Sequence, residues 1–339
     1  MKVLFVNPFF FKDSALERRF KTFYFPLGLL YLASAGREAG HRVDVFDGTF
    51  VSDESVFEES LSASAPEVVC ISSWITVQPA ALRLAALASE HGARVVVGGP
   101  GPTADPEPYL GDPSVSAVVI GEGERTLVEL LEAWETDRPL EEVDGLAWLA
   151  ASGKLETSPP RTLIHDLDSI PLPARDLIDV ERYLAMWKAE HGYSSLTVHA
   201  SRGCPDENCP FCTTAVMGPN LRLRSHAHIV EEMLHLEKAY PVERFRFVDD
   251  LNRLPKEWLV ALGEAMIAAG VSVEYEGLNT LTHEGLPMLA QTRDICHERN
   301  AWIPTQASHG HAPPTLDRNL VRRRWEDAIL LEGERLEDP

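Results

Sequence analysis

Two hydrophobic periods alternate through the N-terminal part of this chain, and that alternation limits the folds open to it more than any other feature. Short β-rich runs occur at KVLFVNP (2–8), RVDVFDG (42–48), EVVCISSW (67–74), ARVVVGGP (93–100) and SAVVIGEG (116–123). Between them lie segments with apolar residues at helical spacing, at 26–40, 53–64, 78–92 and 123–135. Strands that alternate with helices form a parallel sheet covered on both faces, because each connection must cross back over the sheet. Right-handed crossovers leave few topologies. The five runs predict an α/β domain with a flavodoxin-like (Rossmann-like) five-stranded parallel sheet, and a ligand over the C-terminal strand ends.

Those ends are small or glycine-rich: Asn7-Pro8, Ser72-Ser73, Gly98-Gly99 and Gly121-Glu122-Gly123. Glycine lets backbone approach a ligand closely, although the same residues also serve ordinary turns. No G-x-G-x-x-G follows the first run, so a dinucleotide fingerprint is absent.

Beyond residue 142 the pattern changes. Alternation around Ser152-Gly153 in GLAWLAASGKLETS (145–158) predicts a β-hairpin. The proline-rich stretch 159–179 reads as a linker. A second series of β/α units opens with a strand at 194–204. It continues with helices at 225–240 and 255–270, strands at 244–250 and 271–278, and a weaker helix at 282–291. After Gln291 the period is lost. The expected division is an α/β domain (1–142), a hairpin and linker (143–190), a partial β/α barrel (191–291) and an irregular tail (292–339).

The formal net charge of −21 repels phosphate backbones, so nucleic acid is not an expected partner. The densest basic clusters, RLRSH (222–226) and RNLVRRR (318–324), are short. No apolar run reaches the roughly 18 residues that span a bilayer. MKVLFVNPFF lacks the layout of a signal peptide, and the cytoplasm is the expected compartment.

Five cysteines are too few for a disulfide scaffold. Cys70 lies in an apolar run and reads as a small core residue, while Cys296 stands alone near the C-terminus. Cys204, Cys209 and Cys212 fall within nine residues, in SRGCPDENCPFC (201–212). Thiolates so close in sequence converge on something small, and a metal is the usual answer. Structural zinc takes four ligands, which His199 or His226 could complete. Cys209 and Cys212 alone have the spacing of a redox pair. Three thiolates can also hold an iron–sulfur cluster with one iron left open.

The cysteine loop follows a strand and carries Phe211 just before its last cysteine; it resembles the cluster loop of radical S-adenosylmethionine (SAM) enzymes. PLGLLYLAS (26–34), VVGGPGPT (96–103) and VIGEGERTLVELL (119–131) resemble the cobalamin-binding domain that precedes the barrel in one large subfamily. LDSIPLPARDLID (167–179), RLRSHAHIVEEM (222–233) and FRFVDDLN (245–252) resemble that subfamily's linker, first barrel helix and second barrel strand.

The resemblance implies a [4Fe–4S] cluster on Cys204, Cys209 and Cys212, with SAM on the open iron and Phe211 beside it. It implies cobalamin along Asn7, Pro8, Pro26, Gly28, Ser72, Ser73, Gly98, Gly99, Gly121, Glu122 and Gly123. Asp249 and Asp250, at the end of the second barrel strand, become active-site groups, the alternative being caps of the next helix. The absence of D-x-H-x-x-G implies cobalt with no protein imidazole beneath it. The implied reaction is methyl transfer to an unactivated carbon, through a 5′-deoxyadenosyl radical and methylcobalamin. Radical cyclisation or rearrangement is the enzymatic alternative. The implied partners are a small-molecule or peptide substrate and an electron donor such as flavodoxin or ferredoxin.

Two features depart from the family. Four residues, Pro205–Asn208, separate the first two cysteines, one more than usual, and only about three barrel units are legible before Gln291. A truncated or frame-shifted reading frame would account for the second departure. So would a half-barrel that has lost catalysis or is completed by a partner. Two other classes therefore remain: a cobalamin or iron–sulfur carrier or sensor, and a zinc-stabilised interaction module.

Overall fold

Each of the five N-terminal runs forms a strand: β1 (Lys2–Asn7), β2 (Arg42–Asp47), β3 (Val68–Ser72), β4 (Arg94–Gly98) and β5 (Ala117–Val119). They lie parallel in the order β2-β1-β3-β4-β5, so the strand order reverses between β1 and β3. The computed structural model describes residues 1–21, 23, 25–51, 53–203, 218, 220–249 and 254–276. All of these fall in one compact unit, Met1–Ile295, and a second unit, Cys296–Pro339, lies outside the described residues.

The helices of this half are α1 (Ala15–Phe20), α2 (Leu27–Glu38), α3 (Ser55–Ser64), α4 (Gln78–Glu90), α5 (Pro100–Ala104), α6 (Glu107–Leu110) and α7 (Gly123–Thr136). Successive strand residues point to opposite faces. Leu4, Val6, Val69, Ile71, Val95 and Val97 meet Phe57 and Leu61 of α3 and Leu84 and Ala88 of α4. Val3, Phe5, Val68, Cys70 and Val96 meet Leu29 and Ala33 of α2 and Leu127, Leu130 and Leu131 of α7. Coverage on both faces is why these strands read as nearly unbroken apolar runs. Cys70 is a core residue, and burial pushes its thiol pKa upward.

The hairpin forms as β6 (Leu146–Leu149) and β7 (Leu155–Thr157), turning at Gly153 with φ of +78°. It pairs antiparallel with β5 and extends the sheet to seven strands. The sequence pattern contains the hairpin but not its docking, which buries Leu146, Ala147 and Trp148. The linker packs Ile164, Leu167 and Ile170 against Leu27 and Tyr31 of α2. Reading 143–190 as hairpin and linker omits a helix, α8 (Val180–His191). The Asp179 side chain caps it by accepting the Arg182 N–H at 3.0 Å, and Gly192 ends it at φ of +85°.

A second sheet places β8 (Ser195–Val198), β11 (Arg244–Phe247) and β12 (Glu274–Glu276) parallel, in the order β12-β11-β8. Between β8 and β11 come β9 (Ser201–Arg202), β10 (Arg222–Leu223) and α9 (His226–Ala239), and α10 (Lys256–Ala269) precedes β12. Ile229, Met233 and Leu236 of α9 and Leu262 and Met266 of α10 pack on Leu196, Val198, Phe245 and Phe247. The strand expected over 194–204 is two strands rather than one. β9 leaves the line of β8 and pairs antiparallel with β10, Arg202 opposite Arg222. Asp249 fills the break, its carboxylate accepting the Ala200 N–H at 2.9 Å, the Ser201 N–H and the Ser201 hydroxyl at 2.7 Å. The expected helix at 282–291 and the tail from 292 lie outside the described residues.

Candidate functional site

A cavity of about 250 Å³ lies over the C-terminal edge of the first sheet. Its walls come from the ends of β3, β4 and β5 (Ser72, Gly98, Gly99, Gly121), from α2 (Gly28, Tyr31) and from the start of α7 (Gly123, Glu124). The second half of the unit adds His199 and Arg202. Leu29, Leu32, Val96, Val119 and Leu127 make much of the remaining lining apolar. The glycines are needed where they stand. Gly99 has φ of +108°, and a Cβ there would meet the Ser73 carbonyl oxygen at 2.7 Å. A Cβ on Gly123 would meet Leu32 Cδ2 at 2.9 Å.

Of the residues expected along a cobalamin edge, Gly28, Ser72, Gly98, Gly99, Gly121, Glu122 and Gly123 line this cavity. Asn7, Pro8, Pro26 and Ser73 do not. The Asn7 amide donates to Asp47 Oδ1 at 2.9 Å and Thr49 Oγ1 at 3.2 Å, tying β1 to the end of β2. Pro8 is buried just after β1, and Pro26 immediately precedes α2. The Ser73 and Tyr109 hydroxyls share a hydrogen bond of 3.0 Å. Asp249 does not line the cavity either; it braces the turn into β9. Cys204, Cys209, Cys212, Phe211 and Asp250 lie outside the described residues.

The main electrostatic feature was not anticipated. Glu122 is buried, and its carboxylate accepts Arg202 Nη1 at 3.1 Å, Arg222 Nη1 at 2.8 Å and the Ile164 N–H at 2.8 Å. Glu124 accepts Arg202 Nη2. Burial opposes the charge on Arg202, but Glu124 and Glu122 outweigh it and hold the guanidinium pKa above its ordinary value. Arg202 and Arg222 are cross-strand partners, and together they bracket the cysteine segment. Between them Gly203 has φ of +85°, and a Cβ there would run into the Asn220 carbonyl.

A second buried hub lies nearby. Glu232 of α9 accepts Arg175 Nη2 at 2.8 Å and Arg224 Nη1 at 2.6 Å. Burial disfavours the Glu232 charge, yet Arg175 and Arg224 hold its pKa below the usual carboxylate range. The RLRSH cluster is therefore no basic surface patch, since Arg222 and Arg224 are buried in ion pairs.

Tyr31 and His199 join the site only through the fold. Burial, and then the Arg202 and Arg224 cations, lower the His199 pKa to about 3, so the imidazole is neutral at ordinary pH. Burial raises the Tyr31 pKa to about 12. The Tyr31 hydroxyl is buried with no hydrogen-bond partner among the described residues, and the Arg202 guanidinium lies 5.4 Å from its ring centre. Both residues line the cavity. Among the described residues, no group of three or more His, Cys, Asp and Glu is placed to hold a metal ion. Among them, too, no helix is long and apolar enough to cross a membrane.

Residues 15–131 match the B12 binding domain, so the glycine-rich edge belongs to a domain of that family. The chain is 33% identical over 282 residues to an uncharacterized methyltransferase of Pyrococcus horikoshii, covering 81% of this chain and 59% of that protein. It is 29% identical over 297 residues to cytidylyl-2-hydroxyethylphosphonate methyltransferase of Streptomyces wedmorensis, covering 74% of this chain and 54% of that one. The fold is similar to that of the cobalamin-dependent S-adenosylmethionine radical enzyme OxsB, solved with aqua-cobalamin and S-adenosylmethionine bound. That match has a TM-score of 0.68 at 20% identity and covers 81% of this chain and 38% of OxsB. The chain therefore carries a B12-binding domain, and what it shares with OxsB is the fold. It spans a little over half the length of these two curated relatives.

Proposed function

We propose that the protein is a cobalamin-dependent radical SAM enzyme that transfers a methyl group to an unactivated carbon. The observation that carries this reading is the cavity itself, which takes Gly99 and Gly121 from the B12-binding domain and His199 and Arg202 from the segment leading into the cysteines. The lining residues fit one face of a cofactor laid against the strand ends. Gly99 and Gly123 form a cradle that a Cβ would fill, the walls are mainly apolar, and among the described residues nothing accepts from the buried Tyr31 hydroxyl.

In this proposal Gly28, Gly98, Gly99, Gly121 and Gly123 would hold cobalamin. Cys204, Cys209 and Cys212 would hold a [4Fe–4S] cluster, with SAM at its open iron. When bound, these groups supply the transferable methyl group and the radical chemistry. The chain's own residues bind, orient and exclude water. Leu29, Leu32, Val96 and Val119 keep the cavity wall apolar. Arg202 carries its charge into that wall already paired with Glu122 and Glu124. His199 and Tyr31 offer hydrogen-bonding atoms without ionising near neutral pH. A small-molecule or peptide substrate and a flavodoxin- or ferredoxin-type electron donor complete the proposal.

One experiment tests it. The protein is purified without oxygen and reconstituted, its iron, sulfide, zinc and cobalt are quantified, and reductant and SAM are added. The expected result is about four irons per chain, bound cobalamin, and 5′-deoxyadenosine. Iron and cobalt without 5′-deoxyadenosine would favour a carrier or sensor. Zinc without iron would favour the interaction module.

A further inference from the structure

Tyr31, His199 and Arg202 each line two cavities, the one described above and a smaller one of about 10 Å³. Ser201, Arg224, Leu167 and Ile170 complete the wall of the smaller one. Its volume suits about one water molecule. We infer that this cavity is a site for one ordered water, which accepts a hydrogen bond from Tyr31 Oη and donates one to Ser201 Oγ. The inference does not rest on the function proposed above, because it concerns the side of Tyr31 turned away from any ligand in the larger cavity.

The physical case starts at the Tyr31 hydroxyl. Tyr31 is 4% exposed, and its hydroxyl has no hydrogen-bond partner among the described residues. A buried hydroxyl without a partner costs free energy, which a bridging water removes. Besides burial, the charges of Glu232 and Arg224 bear most on this hydroxyl, which puts it on the side of the second ion-pair hub. Arg224 lines the smaller cavity and not the larger, so that side is the smaller cavity's. The other partners a water needs are present. Ser201 Oγ donates its own proton to Asp249 Oδ1 at 2.7 Å and keeps lone pairs with which to accept. Arg224 Nη1 donates to the His199 carbonyl oxygen at 2.7 Å and to Glu232 Oε2 at 2.6 Å, and the guanidinium carries further N–H groups. A polar wall of this kind holds water, whereas cavities that stay empty are apolar. Tyr31 stands on α2 within the B12-binding domain, and Ser201 stands on β9. The water therefore joins two parts of the unit through hydrogen bonds that neither makes alone. The Tyr31 oxygen still has lone pairs with which to accept.

The test uses the full chain. A high-resolution crystal structure should show one water within about 3.2 Å of both Tyr31 Oη and Ser201 Oγ. A dry cavity would overturn the inference, and so would a Tyr31 hydroxyl bonded directly to a protein group or to a bound ligand. A double-mutant cycle asks the same question in solution. The Tyr31 hydroxyl has no direct bond to Ser201, so a coupling between them reports the shared water. In urea titrations, Tyr31→Phe and Ser201→Ala should each lower the folded-to-unfolded ratio by about two- to tenfold. Ser201→Ala also gives up the bond to Asp249, a loss that the cycle cancels. The double variant should lose at least about twofold less than the product of the two single losses. Losses that simply multiply would overturn the inference. The wild-type crystal structure decides the matter even where a variant does not fold.

Discussion

The first sheet buries apolar side chains on both faces, with Leu4 and Val6 on one and Val3 and Phe5 on the other. The segments around β8, β9 and β10 also have an apolar core, but they border every fully buried arginine and glutamate among the described residues: Arg175, Arg202, Arg222 and Arg224 with Glu122, Glu124 and Glu232. Apolar packing is non-directional and tolerates exchange at constant volume. A buried ion pair requires particular atoms at particular distances, and losing one partner leaves a charge with no compensation. The difference teaches that the glycine-rich edge is built on a forgiving core, whereas the strand pair flanking the cysteine segment is held by contacts that specify position.

That contrast can be broken or sharpened by experiment. The largest effect is expected for Glu232→Gln, which keeps the side-chain shape and leaves Arg175 and Arg224 without their anion. Urea unfolding should show a loss of about 3–5 kcal/mol. Next comes Gly99→Ala, which places a Cβ against the Ser73 carbonyl at a φ of +108°. It should cost about 1–3 kcal/mol, and equilibrium dialysis should show weaker hydroxocobalamin uptake.

A third test is pH. The His199 pKa is about 3 in the fold, below its ordinary value, so at mildly acidic pH the unfolded chain binds a proton that the folded chain refuses. Stability must therefore fall as pH drops from about 6.5 to about 5, by at most about 1.4 kcal/mol per unit. His41, whose pKa burial also lowers, contributes with the same sign, so thermal unfolding of His199→Gln should show a shallower slope rather than a flat one. The smallest effect is expected in the first core. Leu130→Met should cost well under about 1.5 kcal/mol, and a cost equal to that of Glu232→Gln would erase the contrast.

Much of the fold was legible because its signals are local. Alternating periods gave away the parallel strands and their helices, and Ser152-Gly153 marked the hairpin turn. Helix α8 was missed, although Val180, Tyr183, Leu184 and Trp187 recur at helical spacing, because the proline-rich stretch before it was read as one linker. At the site, glycine-rich strand ends pointed to Gly98, Gly99 and Gly121. Asn7 and Ser73 share that composition, yet they serve the ends of β2 and the hydroxyl of Tyr109. Nothing in local sequence separates the two outcomes, because which strand-end residue faces a cavity depends on the neighbouring strands.

By itself the sequence determined the α/β alternation, the glycine-rich edge and the three-cysteine motif, since each is written within a few neighbouring residues. Only the tertiary structure decided that Glu122 meets Arg202 and Arg222, from 80 and 100 positions away. It also decided that the arginines of RLRSH are buried and that His199 is neutral in a cavity wall. The physical reason is that charge pairing and desolvation depend on distance in space, and contacts between residues so far apart leave no period in the chain.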